Sequence, residues 1–432
     1  MNRRHALCCG AALAAGLFTA LVAKPAQAAL RNPCRGALPQ ELATHELVQR
    51  AFDGVDTSRL VDTHAHLLGT GDSGSGCRVH PAMTQWWHPA ENLRRRVILN
   101  AACVPDGVAS VDRAYLDNLL ALASEFPAGA RWWLFAFEQA HDDAGRPRPG
   151  WSTFCVPDAY AARVAAANPA RFAWVASIHP YREDALTALD AAHAGGAVAV
   201  KWLPSAMNID PRDSRCAPFY ARLVQHGLPL IVHSGEEKAV PGAGRDELGN
   251  PLLLRHPLAA GVTVMAAHCA SLGQARDTDR RSAPEMPAFE LFARLMDERG
   301  HAGRLLGDIS AVFQANRHAA VGRTLLARRD WHPRLLHGSD HPLPGVMPLF
   351  SPSRLVRAGL LAEAEVATLE RIREHNPLLF DFVLKRHLVS NGKRFAPCVF
   401  ESRRLLDRLS GQDDRIMRLT AAPASPTTAP QP

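Results

Sequence analysis

Two histidines stand one residue apart in the stretch RLVDTHAH, residues 59–66. On a β-strand, alternate side chains project to the same face, so Asp62, His64 and His66 would lie together. Imidazole nitrogens are common ligands of zinc, at about 2.0 to 2.1 Å from the ion. The pair alone is weak support for a metal site, because the chain has 20 histidines and a polar strand end also explains it. Further ligands at matching positions are therefore needed.

Residues suited to metal binding or proton transfer end four more apolar runs. They are Lys201 in VKWLP, His233 in IVHSG, His268 in AAHCAS and Asp340 in GSDHP. A catalytic metal ion needs about three or four imidazole and carboxylate ligands and one position open to water or substrate. The predicted metal ligands are His64, His66, His233 and Asp340. We predict that His268 and Asp340 move protons during catalysis.

The elements that must position these residues are apolar runs alternating with helix-like stretches over residues 59–386. This alternation is typical of repeated βα units and a parallel sheet. Nine runs are candidate strands, but a closed (β/α)8 barrel needs only eight. We assign residues 97–102 to a helix, because Leu93, Val97 and Ile98 have helical spacing. The remaining strands are predicted to end near residues 66, 137, 177, 202, 233, 268, 309 and 340.

The predicted fold is therefore an α/β protein, a (β/α)8 TIM barrel with long loops at the C-terminal face of its strands. In such barrels the active site lies at that face. The long loops after the predicted fourth, fifth and sixth strands are consistent with a substrate pocket there.

Other polar residues near the strand ends are weaker candidates for substrate binding. His179 and Arg182 lie in SIHPYRED, just past the predicted third strand. Arg182 would hold a substrate carboxylate there, or else form a salt bridge at a helix start. Glu236 and Glu237 follow the fifth strand and would contact substrate or belong to a solvated loop.

Two more groups flank the last two predicted strands. Asp308 lies near the end of the seventh strand and, with Arg317 in QANR, gives another candidate anion clamp. His337 has the opposite strand parity to Asp340, so we expect its ring to pack toward the helices. His341 would either orient Asp340 or be an ordinary loop histidine.

The segments DTHAH, KWLP, VHSG, AHC and GSDHP, in this order, resemble the amidohydrolase superfamily. The resemblance is closer to the branch of aminocarboxymuconate semialdehyde decarboxylase-like proteins, and it covers residues 60–386. It implies a (β/α)8 barrel in which His64, His66 and His233 bind metal. Asp340 would be a ligand or general base, and His268 would be catalytic or a ligand of a second metal.

The resemblance leaves the number of metal ions open at Lys201. In superfamily members with two ions, a lysine at the end of the fourth strand is carboxylated and bridges them. In the decarboxylase-like branch one ion suffices, and Lys201 would orient substrate. We favour one divalent ion, zinc first, although manganese, cobalt and iron also suit nitrogen and oxygen ligands.

The predicted function is hydrolysis of an amide, ester or lactone-like bond in a small molecule by metal-activated water. One alternative is a metal-dependent decarboxylase of the same superfamily, which would need Arg182 or Arg317 as a cationic clamp for a substrate carboxylate. A second alternative is a noncatalytic periplasmic metal-binding protein. The long loops and spare acid–base groups disfavour that alternative, because structural metal sites are closed by their own ligands.

The first 28 residues have the layout of an export signal. Arg3 and Arg4 precede an apolar run over residues 6–23, and the small residues Ala26 and Ala28 precede the predicted cleavage point. Adjacent arginines resemble a signal for the twin-arginine route, so we predict a periplasmic or secreted protein. An uncleaved membrane anchor is the alternative, because the apolar run is near the lower length limit for a span.

The rest of the chain is divided by composition and by the resemblance. We expect an N-terminal extension over residues 29–58, the amidohydrolase-like barrel over residues 59–390, a helical extension over residues 391–419 and a disordered tail over residues 420–432. A net charge of +7 is too mild to indicate nucleic acid or stable membrane association. The expected partner is a small-molecule substrate, and family precedent points to a homodimer.

Cysteine usage excludes a cysteine zinc site of the CxxC kind, because no CxxC pair occurs after the signal. Export permits disulfides. Their pairing cannot be assigned from the sequence.

Overall fold

The computed structural model describes residues 31–403, apart from residues 241 and 348. The predicted signal, the predicted tail and residues 404–419 of the predicted C-terminal extension lie outside the described residues. Within the described ranges, no helix has both the length and the apolar character needed to cross a membrane.

Eight short parallel strands form the centre of the fold. They are β1 (Val61–His66), β2 (Arg131–Phe135), β3 (Phe172–Val175), β4 (Val200–Trp202), β5 (Leu230–His233), β6 (Val264–Ala267), β7 (Leu305–Asp308) and β8 (Leu335–Leu336). Successive strands pair in parallel from β1 to β3 and from β4 to β8. A bridge between Ala176 and Val200 joins these two groups, and one between Ala65 and His341 closes the circle. The predicted (β/α)8 barrel is confirmed.

Helices connect and surround the strands. The α-helices are Gln40–Ala43, Glu46–Phe52, Pro89–Ala101, Val111–Ser124, Asp158–Ala167, Ala185–Ala194, Pro204–Met207, Cys216–His226, Arg255–Ala259, Ala288–Asp297, Ala319–Ala327, Pro352–Arg357, Val366–His375 and Pro377–His387. The predicted helix in place of a ninth strand is confirmed, because Pro89–Ala101 covers most of that apolar run. Two antiparallel ribbons lie in loops: Arg78–Val79 pairs with Phe154–Cys155, and Gln274–Arg276 pairs with Glu285–Pro287.

The alternation of side chains along the strands divides the core in two. On β2, Trp133 and Phe135 belong to an inner apolar cluster, whereas Trp132 and Leu134 belong to the larger cluster that includes the helices. This is the period of two expected for a strand with both faces buried. The same alternation places Lys201 of β4 with its side chain inside the barrel, where it is buried.

The N-terminal extension is attached to the barrel by a disulfide and by several hydrogen bonds and ion pairs. Cys34 forms a disulfide with Cys103, just after helix Pro89–Ala101. Farther along, the carbonyl oxygen of Leu47 accepts a hydrogen bond from His387 Nε2 at 2.8 Å. The extension therefore packs against elements from both halves of the chain.

The seam between β8 and β1 joins the two ends of the barrel sequence. Thr63 N donates to His337 O at 2.9 Å, Asp340 N to His64 O at 2.7 Å, and His66 N to His341 O at 2.9 Å.

Seven of the predicted strand ends lie within two residues of the observed ones, but the prediction that β8 extends to Asp340 is wrong. The strand ends at Leu336, and Asp340 adopts a left-handed backbone conformation with φ of 61°. The chain also passes close to β1, since a Cβ on Gly338 would lie 2.7 Å from His64 Cβ. Asp340 is therefore positioned by a turn and by the seam rather than by strand alternation.

Candidate active site and metal centre

The side chains of His64, His66 and Asp340 meet at the C-terminal end of the seam. Asp340 Oδ1 lies 3.1 Å from His66 Nε2 and 3.4 Å from His64 Nε2. Burial alone would raise the pKa of Asp340, but the surrounding imidazoles of His268, His66 and His64 lower it well below its usual value. Asp340 is therefore a carboxylate at neutral pH, as a metal ligand must be.

His268 completes the tightest group. Single ligand atoms of His64, His268 and Asp340 all lie within 4.8 Å of one another, an arrangement able to hold a metal ion. The segment that presents His268 is strained, because His268, Cys269 and Ala270 all have positive φ, between 49° and 56°. Each such residue costs about 1 to 2 kcal/mol, and backbone strain of this kind is common at active sites.

Asp308, at the end of β7, orients two of these histidines. Its carboxylate lies 2.9 Å from His64 Nδ1 and accepts from the backbone N–H groups of His268 at 3.2 Å and Ser310 at 2.9 Å. Although burial raises the pKa of Asp308, the interaction with His64 lowers it far below the ordinary value. The hydrogen bond at Nδ1 leaves His64 Nε2 directed toward Asp340.

The Asp308 carboxylate does not pair with Arg317, because it is engaged by His64, His268 and Ser310. Arg317 lines the cavity and stays a candidate to bind an anion. Ser310 was missed altogether: its hydroxyl lies 2.8 Å from His268 Nδ1, which leaves Nε2 of that ring available. The role of Asp308 could have been predicted from its position at the end of a barrel strand, since a carboxylate commonly orients metal-binding histidines.

His233 and Lys201 lie beside this group. His233 Nδ1 lies 3.2 Å from Glu237 Oε2, and its ring centroid is 5.1 Å from that of His268. Lys201 Nζ lies 5.1 Å from the centre of the Phe135 ring, and burial lowers its pKa to about 8. The loss of solvation raises the neutral fraction of this amine. Lys201 was predicted either to contact substrate or to be carboxylated and bridge two metal ions. Both roles require its amine to lie in this cavity, as it does.

These residues form the floor of a cavity of about 250 Å³. Its apolar wall is made by Leu68, Ile98, Phe154, Leu203, Leu343 and Leu349, and Glu236, Glu237 and Arg317 also line it. A larger groove of about 1180 Å³ lies outside and contains none of the histidines of the cluster. We assign the chemistry to the inner cavity because the histidines line it. The groove shares Glu236, Leu272 and Asn316 with the cavity, so we assign the approach path of the substrate to the groove.

His179 and Arg182 do not reach this cavity. His179 is fully buried, donates from Nε2 to Met207 O at 2.9 Å and accepts from Tyr181 N at Nδ1. Arg182 pairs with Glu138 at 2.6 Å and with Asp184, the N-cap of helix Ala185–Ala194, at 2.7 Å. Neither residue lines the cavity, and Arg182 forms the salt bridge at a helix start that was the alternative for it.

The two histidines near Asp340 behave differently from each other. His337 packs against Phe382 and Phe400 of the outer layer, with ring centroids 5.9 and 5.3 Å away, so its predicted orientation is confirmed. His341 is buried, and neither of its ring nitrogens has a hydrogen-bond partner among the described residues. It does not orient Asp340 by a hydrogen bond, which favours the alternative of an ordinary loop histidine.

The residues of the cavity fit a divalent metal ion. Buried polar atoms are normally hydrogen-bonded, yet His233 Nε2 and Lys201 Nζ have no such partner within the described ranges. Imidazole and carboxylate groups are the ligands that zinc and neighbouring transition metals prefer. Coordination of a metal ion would give His233 Nε2 a partner. An ion would also lie between Asp340 Oδ1 and the nearby Nε2 atoms of His64 and His66.

A barrel with a buried histidine and aspartate centre at the C-terminal face defines a metal-dependent class of TIM-barrel protein. The chain belongs to the amidohydrolase family (Amidohydro_2), whose sequence model matches residues 61–380. The match covers all eight strands and the whole predicted centre. The superfamily predicted from the five sequence segments is confirmed.

Comparison with solved structures finds similar chains at low sequence identity. An uncharacterized TIM-barrel protein from Bordetella bronchiseptica is 16% identical, covers 66% of this chain and 86% of its own, and gives a TM-score of 0.42. A 4-oxalomesaconate hydratase from Rhodopseudomonas palustris is 13% identical, with coverages of 84% and 98% and a TM-score of 0.41. A 2,6-dihydroxybenzoate decarboxylase from Rhizobium is 14% identical, with coverages of 74% and 98% and a TM-score of 0.37. Similarities this low carry no information about the reaction, and among curated proteins no sequence matches significantly.

Proposed function

We propose that the protein is a metal-dependent hydrolase that cleaves an amide, ester or lactone-like bond in a small molecule. The observation that carries the proposal is the cluster of His64, His268 and Asp340, which is buried but opens on a cavity of about 250 Å³. A structural metal site would be closed by its ligands. An accessible cluster beside spare proton-transfer groups supports an enzyme rather than a metal-storage protein.

His64, His66, His233 and Asp340 would hold the ion, with His268 beside them. A divalent ion bound there would polarise a substrate carbonyl and lower the pKa of water to about 7. The protein itself supplies orientation: Asp308 holds His64, Glu237 holds His233, and the seam holds Asp340.

Proton transfer is assigned to His268 and Asp340. Burial lowers the pKa of His268 well below its usual value, so its imidazole is neutral. Because Ser310 occupies Nδ1, the proton from the attacking water goes to Nε2 and from there to the leaving group. Asp340 accepts a hydrogen bond from the same water.

The test is turnover of small esters, amides and lactones by metal-loaded protein, with elemental analysis of each variant. His268→Ala should abolish turnover and retain the metal. The matched control is His193→Ala, which removes a histidine that stacks on His226 at the barrel surface and should leave both quantities unchanged.

Other results have distinct meanings. Loss of metal together with turnover would make His268 a ligand and contradict its assignment to proton transfer. Absence of any turnover by the metal-loaded wild type on all these bond types would contradict the hydrolase proposal.

Decarboxylation is the second candidate. It needs an arginine that binds a substrate carboxylate, and of the two arginines predicted for that role, Arg182 and Arg317, the one that lines the cavity is Arg317. In that reaction the carbon–carbon bond to a substrate carboxylate breaks, carbon dioxide leaves, and the carbon takes up a proton that passes from solvent through His268 Nε2. Release of carbon dioxide from small carboxylated aromatics would distinguish this reaction from hydrolysis.

Export remains part of the proposal and is supported by the disulfide between Cys34 and Cys103. Disulfides persist in oxidising compartments such as the periplasm and are rare in the cytosol. Fractionation of the producing cells, with mass measurement of the mature chain, tests both the location and the cleavage after residue 28.

A further inference from the structure

Arg317 is a buried cation without an ion-pair partner among the described residues. It is 8% exposed and contributes to the cavity lining. Its Nη1 donates to Ser271 Oγ at 3.1 Å, while its Nε has no hydrogen-bond partner within the described ranges. Burial lowers the pKa of Arg317 only to about 10, so the guanidinium stays charged at neutral pH. A buried charge is costly unless an opposite charge compensates it.

Gln314 supplies a second unused group on the same segment. Its side chain is 5% exposed and lines the cavity, and its Nε2 has no partner among the described residues. Arg317 N donates to Gln314 O at 3.0 Å, so a single turn separates the two residues. The two side chains therefore enter the cavity from one short segment after β7.

Asp340, Glu237 and Glu236 lie near enough to act on the charge of Arg317, but no acidic group among the described residues forms an ion pair with it, and each is engaged by a nearer partner. Glu237 accepts from the N–H groups of Ala239 and Val240 and pairs with His233. Glu236 pairs with Lys238 at 3.3 Å. The remaining carboxylate of the lining is Asp340, which lies among the histidines.

The partner that these groups fit is a carboxylate on a compact apolar molecule. A guanidinium binds the two oxygens of a carboxylate well, and an amide N–H adds a third hydrogen bond. A doubly charged phosphate fits poorly, because Glu236 and Glu237 line the same small space. The apolar wall that includes Ile98, Phe154 and Leu203 faces the rest of the ligand.

We propose that Arg317 and Gln314 form a carboxylate-binding subsite, and that the substrate is a small apolar molecule carrying a carboxylate apart from its reacting bond. Ser271, the partner of Arg317, donates its backbone N–H to His268 O at 3.0 Å, so the subsite adjoins the proton-transfer histidine. The inference rests on the proposed function for the reaction, but its binding test does not require turnover.

The test is calorimetric titration of the metal-loaded protein with benzoate and with the neutral, equally shaped benzamide. We expect the wild type to bind benzoate roughly tenfold or more tightly, as expected for hydrogen bonds to a charged group. Arg317→Gln should remove this preference, Arg317→Lys should restore part of it, and Gln314→Glu should reverse it. The matched control Arg323→Gln changes an exposed arginine on the following helix and should retain it.

Metal content and melting temperature are measured for every variant, so that loss of folding is recognised. Should Arg317→Gln fail to fold, Gln314→Glu alone tests the subsite. An undiminished benzoate preference in folded, metal-loaded Arg317→Gln would overturn the proposal and place the carboxylate at the metal. Arg317-dependent benzoate binding without turnover of any ester, amide or lactone would contradict the hydrolase and leave the subsite standing.

Discussion

Replacing Asp308 by asparagine separates the orientation of the metal-binding histidines from their presence. The substitution keeps the size of the side chain but removes its charge and one acceptor oxygen. The Asp308 carboxylate lies 2.9 Å from His64 Nδ1 and accepts from His268 N and Ser310 N. A hydrogen bond involving a charged group contributes about 1.5 to 3 kcal/mol. Comparable changes to groups that orient metal-binding histidines weaken metal affinity roughly 10- to 100-fold, so we expect a loss of that size.

The assay is competition for zinc against a chromogenic chelator of known affinity, at fixed pH. The control is Asp277→Asn, which alters another buried aspartate, one that pairs with Arg294 at 2.7 Å in a loop outside the centre. That control should lose stability but keep its metal affinity. The reasoning is refuted if Asp308→Asn binds zinc within about twofold of the wild type, or if both variants weaken equally.

Three further predictions concern stability. Burial lowers the pKa of His179 to about 3, so as the pH falls below 6.5 the unfolded chain takes up a proton that the folded chain refuses, and stability decreases. His179→Gln should therefore lose about 2 kcal/mol less than the wild type between pH 7 and pH 5 in urea unfolding; equal losses would contradict this. The double variant Cys34→Ser, Cys103→Ser removes the disulfide, which joins residues 69 apart in the sequence. It should lower the free energy of unfolding by about 2 to 4 kcal/mol, whereas an unchanged value would mean that the two thiols are not paired. Chelation should lower the melting temperature and zinc should restore it, whereas an unchanged temperature would mean that no bound ion stabilises the fold.

Much of the barrel could be predicted because its strands are short apolar runs with polar residues at one end. The alternation that directs His64 and His66 to one side is a local property of β1, and Lys201 follows the same rule on β4. Helical spacing likewise identified helix Pro89–Ala101. In each of these cases the structure follows from residues that are neighbours in the sequence.

The remaining features depend on contacts between distant segments or on unusual backbone conformations. Asp340 lies in a turn with positive φ, so counting residues from β8 could not place it. The orientation of His64 depends on Asp308, 244 residues later in the chain. Arg182 and Arg317 look alike in sequence, since each follows a strand, but Glu138 and Asp184 neutralise only the first. The distant partner Glu138, 44 residues earlier in the chain, is the part of this difference that the neighbouring sequence does not contain.

The seam between β8 and β1 has a consequence for the order in which the protein is made. His66 and Asp340 are 274 residues apart, so the two sides of the centre leave the ribosome far apart in time. At about 5 to 20 residues per second, this interval is roughly 15 to 55 s. The first half of the barrel carries imidazoles without their carboxylate partner, and the centre exists only when the last strand is in place. The export that we propose would suit such a protein if it used a route for already folded chains, because the metal site is completed last.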